Sequence, residues 1–439
     1  MMSLSLINNN RDVAIIGGGI IGICSAYYLH QSGKKVVVIE KDEIGKACSF
    51  GNAGYITPSH FIPLAAPGMI QKGLKWMLNP KSPFFVRPSL DLDFIKWLLS
   101  FAKKCTTAHT QQSQQAILDI NLKSLELYQA LHKCDDLDFQ FHQKGLLMLF
   151  KTQAGLDEEA ITVSQANALG LKAKILDREA LRALEPEIEF DVVGAALYPE
   201  DAHIEPFEFI SSMKSYLQTN GVEFLEHTEV TRFDTQAKLQ SQLIITAIHT
   251  TKGAVKADSV VLANGAWSAQ LAKKLGLTVP VLAGKGISIT LENKAIENTR
   301  LFSCKTPFIL SEAKVAVSPF NDEIRFGGTM ELGVLADQES RGLSPNRITG
   351  LLQSVGQYLP TFDSEKIDRS QFWSGFRPCT PDGLPIIGPA PGIDNLYIAT
   401  GHAMMGLSLG PITGKIICDL ITGKTPDVDL APFMPMRFK

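Results

Sequence analysis

Several patterns that mark specialised proteins are missing from this sequence. Its 439 residues include only seven cysteines and no Cys-x-x-Cys pair, so we expect reduced thiols and no disulfide framework. No apolar run approaches the ~20 residues that a membrane-spanning helix needs. The formal net charge is −3, and no Lys/Arg run is interleaved with aromatics, so we expect no nucleic-acid partner. The length and the 45% hydrophobic content fit a globular protein of two domains.

Patterns for metal binding and for hydrolysis are missing as well. The nine histidines form no His-x-x-x-His pair and no Cys/His cluster at ligand spacing, so no metal site is predicted. Residues 406–410 do read Gly-x-Ser-x-Gly, the pattern of a nucleophile elbow. An elbow needs a histidine later in the chain, but His402 precedes Ser408 and is the last one. The stretch therefore favours a glycine-rich turn that opens a helix.

The stretch from Val13 to Glu40 has the order of a dinucleotide-binding βαβ unit. A branched apolar run, Val13–Ile16, is typical of a strand buried on both faces of a parallel sheet. Gly17, Gly19 and Gly22 follow at G-x-G-x-x-G spacing, which suits a tight turn, close approach to a pyrophosphate, and packing of helix on strand. A second strand ends at Glu40, where a carboxylate can bind a ribose diol and would repel a 2′-phosphate. The sequence therefore predicts FAD or NAD as ligand, and not NADP.

Two further stretches are candidates for the same ligand. Residues 45–54 form a small-residue loop beside the nucleotide turn, and it is equally compatible with a ligand-wrapping loop and with a surface turn. The strand at 257–263 opens into Asn264-Gly265-Ala266-Trp267. As at the first site, a buried strand leads into a turn of small residues. No second G-x-G-x-x-G occurs, so a separate nicotinamide domain is not expected. If FAD is the ligand, its electrons should come from a substrate bound directly against the flavin.

The remaining chain predicts a mixture of helices and strands. Helical patterns cover about 92–105, 116–131, 156–169, 207–217 and 348–358, and a last helix ends near Leu420. Runs at 281–291, 315–318 and 324–328 favour antiparallel strands. Residues 55–88 are rich in Pro, Gly and aromatics, as in a lid or an entry channel. Residues 1–10 should form a disordered tail. Trp76 and Trp97, which lie near several lysines, indicate either core aromatics or, less favoured, a membrane-surface face.

Arg377 is the strongest candidate for substrate binding. It lies between Gly375-Phe376 and Pro378, a stiff context that can hold a guanidinium in one direction. The planar fork of arginine matches a carboxylate through two charge-assisted hydrogen bonds. The alternative is a surface arginine, or one that pairs internally with Asp382.

Taken together, these motifs resemble the D-amino-acid dehydrogenase branch of the FAD-dependent amine and amino-acid oxidoreductases, relatives of glycine oxidase and sarcosine oxidase. The resemblance covers residues 12–420 and includes the βαβ unit, Ser49-Phe50-Gly51-Asn52-Ala53-Gly54, Gly375-Phe376-Arg377-Pro378 and Thr400-Gly401-His402. It implies an α/β fold with a Rossmann-like FAD-binding domain and a second, α+β substrate domain built on an antiparallel sheet. We predict that residues 11–60, 200–280 and 370–436 form the first domain, and 61–199 and 281–369 the second.

The resemblance also implies a reaction and a set of site residues. The Cα–N bond of a D-amino acid would be oxidised by hydride transfer to the flavin, and hydrolysis would give a 2-oxo acid and ammonia, or a cyclic imino acid would give a ring imine. Arg377 would bind the substrate carboxylate, with Tyr55, His60, His203 and Met405 as weaker catalytic candidates. Backbone N–H groups of residues 405–408 would stabilise negative charge on the flavin. The expected cofactor contacts are Gly17, Gly19, Ile20, Ile21, Gly22, Glu40, Lys41, Ser49, Asn52, Ala53, Gly54, Val230, Ala263, Asn264, Gly265, Trp267, Gly375, Arg377, Gly401, His402, Met404, Met405, Gly406, Leu407 and Ser408.

Further expectations concern the attachment of FAD, the substrate, the electron acceptor and the location of the protein. Cys379 directly abuts Thr380, unlike the flavin-linking cysteine of sarcosine oxidases, so we expect noncovalent FAD. The loop from Tyr55 to Pro67 hints at D-proline or hydroxyproline as substrate. The expected electron acceptor is a quinone or another respiratory-chain component, and the protein should be cytoplasmic, with or without peripheral contact at the inner face of the cell membrane. The alternatives are an oxygen-using oxidase of glycine, sarcosine or cyclic imino acids, and a non-catalytic flavin-binding subunit.

Overall fold

The structure is a computed structural model that describes residues 11–77, 79, 81–238, 242–292, 300–334, 336 and 342–438. The predicted disordered tail at residues 1–10 lies outside the described residues. The helices are α1 (Ile20–Gln31), α2 (Met69–Met77), α3 (Leu92–Lys104), α4 (Thr107–His132), α5 (Gln153–Ala168), α6 (Arg178–Leu184), α7 (Pro206–Thr219), α8 (Ser268–Lys273), α9 (Pro345–Tyr358) and α10 (Gly410–Ile421).

The strands are β1 (Val13–Ile16), β2 (Val36–Ile39), β3 (Tyr55–Ile56), β4 (Phe84–Val86), β5 (Phe141–His142), β6 (Leu146–Phe150), β7 (Lys174–Leu176), β8 (Gly194–Tyr198), β9 (Ala202–Ile204), β10 (Glu223–Leu225), β11 (Val230–Ala237), β12 (Leu243–Thr250), β13 (Gly253–Val255), β14 (Ser259–Leu262), β15 (Leu282–Glu292), β16 (Phe308–Leu310), β17 (Val315–Phe320), β18 (Glu323–Leu332), β19 (Trp373–Cys379), β20 (Ile386–Pro389) and β21 (Leu396–Thr400). They form two large and two small sheets.

The first large sheet carries the predicted nucleotide unit. Its order is β10-β2-β1-β14-β21-β20, and all neighbours are parallel except β20 and β21. Every residue of β1 and β2 is buried, which explains why both read as continuous apolar runs. Helix α1 packs on one face together with α7 and α10. The α/β prediction for this part of the chain is confirmed.

The second large sheet lies over the first unit and is mostly antiparallel. Its order is β19-β15-β18-β17-β16-β6-β8-β7, with β4 added beside β18. Two pairs, β16 with β6 and β18 with β4, are parallel. Strand β19 comes from the segment that we predicted for the FAD domain, yet it forms the edge of this second sheet. The division into two domains stays a prediction.

Two three-stranded sheets complete the fold. One has the order β11-β12-β13, and the other has the order β3-β9-β5. The second of these ties the start of the 55–88 segment to the rest of the chain, because Tyr55 pairs with His203 and Ile56 with Ala202. That segment has more regular structure than predicted, since it also contains α2 and β4. Among the described residues, no helix combines the length and apolarity required to cross a membrane.

Candidate active site

A deep cleft runs between the carboxyl ends of the first sheet and the edge of the second. It encloses about 1280 Å³ of empty space, part of it open to solvent. Sixteen of the predicted cofactor contacts line it: Gly17, Gly19, Ile20, Ile21, Glu40, Lys41, Ser49, Asn52, Val230, Ala263, Asn264, Gly265, Trp267, His402, Gly406 and Leu407. Ligands of open α/β sheets bind at this edge, where the strands end.

The glycine turn between β1 and α1 is shaped as its spacing predicts. Gly17 has φ +112°, which favours glycine, and a Cβ there would lie 2.5 Å from the Ala263 carbonyl oxygen. A Cβ at Gly22 would lie 1.9 Å from the Gly17 carbonyl oxygen, so only glycine lets the helix pack this closely. Gly22 thus shapes the turn from behind and does not line the cleft.

The start of α1 offers donors for a phosphate. The Gly18 N–H donates to Glu40 at 2.7 Å, and the Ile20 N–H donates to the Ser49 hydroxyl at 3.1 Å. Among the described residues, no acceptor is recorded for the N–H groups of Gly19 and Ile21, and both residues line the cleft. Free N–H groups at a helix N-terminus bind anions such as a pyrophosphate.

Glu40 lies at the end of β2, as the sequence predicts. Its carboxylate is 8% exposed and accepts hydrogen bonds from the N–H groups of Gly18 and Asp42 at 2.7 and 3.0 Å. A carboxylate has about four acceptor positions, so lone pairs remain for a ribose diol. Lys41, the next residue, lies with its Nζ 4.0 Å from the centre of the Trp267 ring at the same cleft.

The glycine-rich stretch at residues 401–410 forms the opposite wall. His402 is buried, its Nε2 lies 3.0 Å from the Thr413 hydroxyl, and its Nδ1 has no partner among the described residues. Burial lowers the pKa of His402 to about 3, so the ring is neutral. An unpartnered ring nitrogen in the wall of the cleft fits a polar cofactor.

Backbone donors of this stretch are arranged differently from our prediction in one place. The Met405 N–H donates to the His402 carbonyl oxygen at 2.8 Å and is therefore already used. Within the described chain, no acceptor is recorded for the N–H groups of Gly406, Leu407 and Ser408. Gly406 and Leu407 line the cleft and Ser408 follows them directly, so these are the N–H groups available for negative charge on a bound ring. Together with the start of α1 and Glu40, they fit FAD.

Arg377 lies on β19, half-buried at the edge of the second sheet. Its side chain crosses Gly286 of β15, where a Cβ would lie 2.2 Å from Nη1. Nη1 donates to the Thr329 carbonyl oxygen at 2.6 Å. In the described part of the chain, Nε and Nη2 have no hydrogen-bond acceptor. The alternative pairing with Asp382 does not occur, because Asp382 pairs with Arg437 at 2.7 Å.

Thr329 was not among the predicted site residues. Its φ is +60°, which is rare for a β-branched residue, and it lies where the register between β15 and β18 shifts. This irregularity turns the Thr329 carbonyl out of the strand ladder towards Arg377. Strained backbone of this kind is often part of a functional site. A bulge cannot be recognised from a single sequence unless glycine marks it.

The weaker catalytic candidates are placed less favourably. The Tyr55 hydroxyl lies 2.9 Å from the carbonyl oxygens of both Phe308 and Val317, so the second sheet occupies it. His203 is buried, which lowers its pKa to about 3. The ring of His60 faces Ser59, with Nδ1 3.0 Å from that hydroxyl, and burial lowers its pKa to about 4. None of the three lines the cleft.

Several predicted cofactor contacts also lie outside the lining of the cleft. They are Gly22, Ala53, Gly54, Gly375, Arg377, Gly401, Met404, Met405 and Ser408. Ser408 is buried; its hydroxyl donates to Asn121 at 2.7 Å and accepts from the Thr57 N–H at 3.0 Å. Met404 is 49% exposed. Gly375 lies against the Trp373 ring, which a Cβ would approach to 2.1 Å.

Other residues line the cleft although we did not predict them. They are Ile16, Ile39, Ala47, Cys48, Thr228, Glu229, Ala266, Gln270, Leu271, Lys274, Phe376, Pro378, Ala399, Thr400 and Ala403. Most of them are neighbours of predicted residues. Thr228 and Glu229 precede Val230, which was predicted; they could have been found with it as a third stretch ahead of a strand, but β11 is exposed and polar and therefore gives a weak signal. Cys379 is fully buried and not part of the lining, and burial raises the pKa of its thiol to about 12.

The chain is similar to known proteins along nearly its whole length. Residues 12–420 match the family described as "DAO: FAD dependent oxidoreductase". D-amino acid dehydrogenases from Granulibacter bethesdensis and Allorhizobium ampelinum are each 33% identical to this chain; the alignments cover 97% of it and 99% and 98% of those proteins. The solved glycine oxidase of Geobacillus kaustophilus is 24% identical with a TM-score of 0.75, covering 97% of this chain and 98% of that one. The L-proline dehydrogenase from P. horikoshii is 21% identical with a TM-score of 0.74, and the match covers 98% of both chains.

The expected resemblance, the fold class and FAD as cofactor are thereby confirmed. The family match spans the βαβ unit, Arg377 and the whole glycine-rich stretch at 401–410. The two glycine-rich turns that face the cleft and the carboxylate at the end of β2 are the features by which this chain can hold the cofactor. The chain belongs to the DAO family of FAD-dependent oxidoreductases.

Proposed function

We propose that this protein is an FAD-dependent D-amino-acid dehydrogenase that oxidises the Cα–N bond of its substrate. Relatives at 33% identity over nearly the full chain carry the name D-amino acid dehydrogenase. The structural observation that carries the proposal is the Arg377 guanidinium. It is half-buried, it lies over a glycine, and two of its nitrogens have no acceptor among the described residues. Such a group suits a carboxylate ligand.

The register of the second sheet gives Arg377 its surroundings. Gly284 lies directly opposite Arg377, and Gly286 opposite Gly375. Residues opposite each other in an antiparallel pair have side chains on the same face, so the glycines leave room on this face for the side chains of Trp373, Arg377 and Cys379 to lie flat against the sheet. Phe376 and Pro378, the chain neighbours of Arg377, both line the cleft, so the guanidinium lies at its border. The Thr329 carbonyl fixes Nη1 and leaves Nε and Nη2 for the carboxylate.

The chemistry then requires little of the side chains beyond orientation. Bound FAD would supply the hydride acceptor. The substrate gives up a hydride from Cα and a proton from its nitrogen, and water converts the resulting imine to a 2-oxo acid and ammonia. Arg377 holds the carboxylate, and the free N–H groups of Gly406, Leu407 and Ser408 stabilise negative charge in place. We propose that FAD is held noncovalently by these contacts and by Glu40.

A panel of amino acids tests the proposal directly. The purified protein is mixed anaerobically with D- and L-amino acids, glycine, sarcosine, D- and L-proline and hydroxyproline. The absorbance of the flavin at about 450 nm is followed. We expect bleaching by D-amino acids. Bleaching by glycine or sarcosine alone would favour an oxidase of those substrates, and bleaching by none would indicate a non-catalytic subunit. D-Proline or hydroxyproline as preferred substrate would support the hint from the 55–67 loop.

The electron acceptor needs a second assay. We propose a quinone or another respiratory-chain component, because the relatives are named dehydrogenases and not oxidases. Turnover with a quinone analogue under nitrogen should exceed peroxide production in air. The reverse result would contradict the dehydrogenase assignment.

Substitution of Arg377 tests the carboxylate contact. Arg377→Ala should lower kcat/KM for amino acids by about 30- to 3,000-fold, mainly through KM, since truncating one partner of a charge pair costs about 2–5 kcal/mol. Arg377→Lys should recover only part of this, because an ammonium lacks the planar fork. Arg178→Lys, at an exposed position of α6, is the matched control and should behave as wild type. Unchanged kinetics in Arg377→Ala would remove Arg377 from the site.

Peripheral contact with a membrane is proposed for the surface of α2 and α3. Exposed apolar side chains, Ile70, Leu74, Leu92 and Leu99, share these helices with Lys72, Lys75, Lys96, Lys103 and Lys104. Apolar residues beside lysines suit the interface of an anionic bilayer. Trp97 takes no part, because it is buried and donates to the Cys379 carbonyl oxygen at 3.1 Å; the side chain of Trp76 lies outside the described residues. Co-flotation with anionic but not neutral vesicles, lost in Leu74→Gln/Leu99→Gln, is the expected result.

A further inference from the structure

Helix α4 carries a buried polar stripe on one face. Asn121, Ser124 and Tyr128 follow at helical spacing, and each is 0% exposed. Buried polar side chains need hydrogen-bond partners, because an unpaired one costs about 1–3 kcal/mol. In this helix the partners come from the glycine-rich stretch that opens α10.

The contacts of the stripe hold two consecutive residues of that stretch. The Tyr128 hydroxyl donates to the Leu407 carbonyl oxygen at 2.6 Å, and the Ser124 hydroxyl donates to the Ser408 carbonyl oxygen at 2.5 Å. Asn121 accepts from the Ser408 hydroxyl at 2.7 Å, and its own amide donates to the Ile117 carbonyl oxygen at 2.8 Å. Helix α4 therefore fixes both carbonyls and the one side chain between them.

Fixing a carbonyl also fixes the N–H group of the same peptide. The Leu407 carbonyl and the Ser408 N–H belong to one planar unit, and in a trans peptide they point in opposite directions. No cis peptide occurs among the described residues. The Ser408 N–H therefore points away from Tyr128. The neighbouring Gly406 and Leu407 line the cofactor cleft, and the N–H groups of all three have no recorded acceptor in the described part of the chain.

We infer that Asn121, Ser124 and Tyr128 are positioning residues that set the affinity and the reduction potential of FAD. Tyr128 acts directly on the peptide that joins Leu407 to Ser408, whose plane it prevents from turning. Ser124 and Asn121 hold the next peptide and the Ser408 side chain; the N–H of that next peptide belongs to Leu409 and donates to the Met405 carbonyl oxygen at 2.9 Å, so these two residues keep the shape of the turn. A hydrogen bond to the carbonyl also polarises the peptide and strengthens its N–H as a donor. Negative charge that reduction places on the cofactor would be stabilised less without them. The inference rests on the cofactor of the proposed function and not on its substrate.

Tyr128→Phe tests the inference with a minimal change, since only the hydroxyl is lost. We expect the Kd for FAD, titrated into apoprotein, to rise by about threefold or more. We also expect the ratio of reduced to oxidised FAD, measured at equilibrium with a reference dye, to fall by a similar factor at fixed dye potential. A tenfold change would correspond to about 30 mV for this two-electron couple.

Tyr358→Phe is the matched control. Tyr358 is also buried on a helix and hydrogen-bonded, but its partner is Glu312, which lies outside the cleft. This variant should lose stability without a change in either cofactor measurement. If Tyr128→Phe behaves in the same way, the stripe is structural only and the inference is overturned.

Ser124→Ala provides an independent reading, and it replaces Tyr128→Phe if that variant fails to fold. It removes the donor to the Ser408 carbonyl and so loosens the turn next to the Leu407–Ser408 peptide, and a fall in affinity and ratio in the same direction is expected. Unchanged values would again overturn the inference. Both measurements work without an amino acid, so a failed substrate panel would contradict the proposed function while leaving this test intact.

Discussion

Two glycine-rich turns face each other across the cleft, and each opens a helix, α1 in one case and α10 in the other. The first turn is held by residues close to it in sequence: Glu40 binds Gly18, 22 positions away, and Ser49 binds Ile20, 29 positions away. The second turn is held by α4, whose Tyr128 and Ser124 bind residues 279 and 284 positions away. The two turns are locally similar, but the residues that hold the first turn are near it in sequence and those that hold the second are far from it.

The supports also differ in charge. The first turn uses a carboxylate, Glu40, which can bind a ribose and accepts two N–H groups. The second turn uses neutral hydroxyls and an amide from α4, together with the Thr57 N–H, which donates to the Ser408 hydroxyl at 3.0 Å. Ser59, in the same loop as Thr57, donates to the buried Asp201, for which no cation partner is recorded among the described residues. A fixed anion beside the second turn would oppose negative charge on the reduced ring, whereas neutral donors do not. Substitutions at each turn can test whether the charged group at the first turn and the neutral groups at the second have these different roles.

The largest effect is expected at Gly22. In Gly22→Ala the new Cβ would meet the Gly17 carbonyl oxygen at 1.9 Å, so the first turn must change shape. We expect the Kd for FAD to rise by about 100-fold or more, because overpacking of about 1–3 kcal/mol adds to lost phosphate contacts. Titration of apoprotein with FAD, followed by flavin fluorescence, measures it.

Gly33→Ala is the control for that change. Gly33 follows α1 with φ +83°, but no atom would lie within 4 Å of its Cβ. This variant should lose about 1–2 kcal/mol of stability and bind FAD as wild type. Equal FAD affinity in Gly22→Ala and Gly33→Ala would mean that the first turn tolerates distortion and would contradict its role.

A smaller effect is expected at Glu40. Glu40→Gln keeps the size of the side chain but removes the charge and replaces one acceptor by a donor that faces an N–H group. We expect FAD to bind about 10- to 30-fold more weakly, as for the loss of charge-assisted hydrogen bonds. Glu43→Gln, at an exposed position three residues away, should have no effect. At saturating FAD, a changed kcat in Glu40→Gln would show that Glu40 does more than hold the cofactor.

The sequence separation of these contacts also decides which of them could be predicted from the sequence. The βαβ unit, Glu40 and Ser49 lie within 37 residues, and the buried runs and glycine spacing determine their geometry locally. The stretch at 401–410 was recognised as a turn, but its supports were not. Asn121, Ser124 and Tyr128 lie at helical spacing within the predicted helix at 116–131, but we did not select them, because nothing in one sequence pairs them with residues 407 and 408.

The substrate side shows the same limit. Arg377 was selected from its stiff local context, and the structure leaves two of its nitrogens without acceptors in the described chain. Thr329, which holds it, comes from a register shift between two strands, and a shift of this kind depends on packing across the sheet. Met405 was expected to donate to the ring, but its N–H belongs to a turn with His402. Local patterns predicted the residues, and tertiary pairing decided which atoms are free.

The effect expected at Asp201 concerns stability and not the cofactor. The carboxyl is 1% exposed and accepts from the Ser59 N–H at 3.1 Å and from its hydroxyl, while Thr57 of the same loop reaches Ser408. Burial raises the pKa of Asp201 from 3.8 to about 8. Between these values the folded protein holds a proton that the unfolded chain releases, so the free energy of unfolding falls as pH rises.

Asp201→Asn should remove this dependence. Relative to wild type, its urea midpoint should fall less between about pH 5 and pH 8, a difference of about 1 kcal/mol per pH unit in the free energy of unfolding. Asp136→Asn, at an exposed position, should follow wild type across that range. Parallel profiles for wild type and Asp201→Asn would mean that the carboxyl is ionised in the folded state. The second turn would then tolerate an anion in its supporting loop, and the contrast in charge between the two turns would disappear.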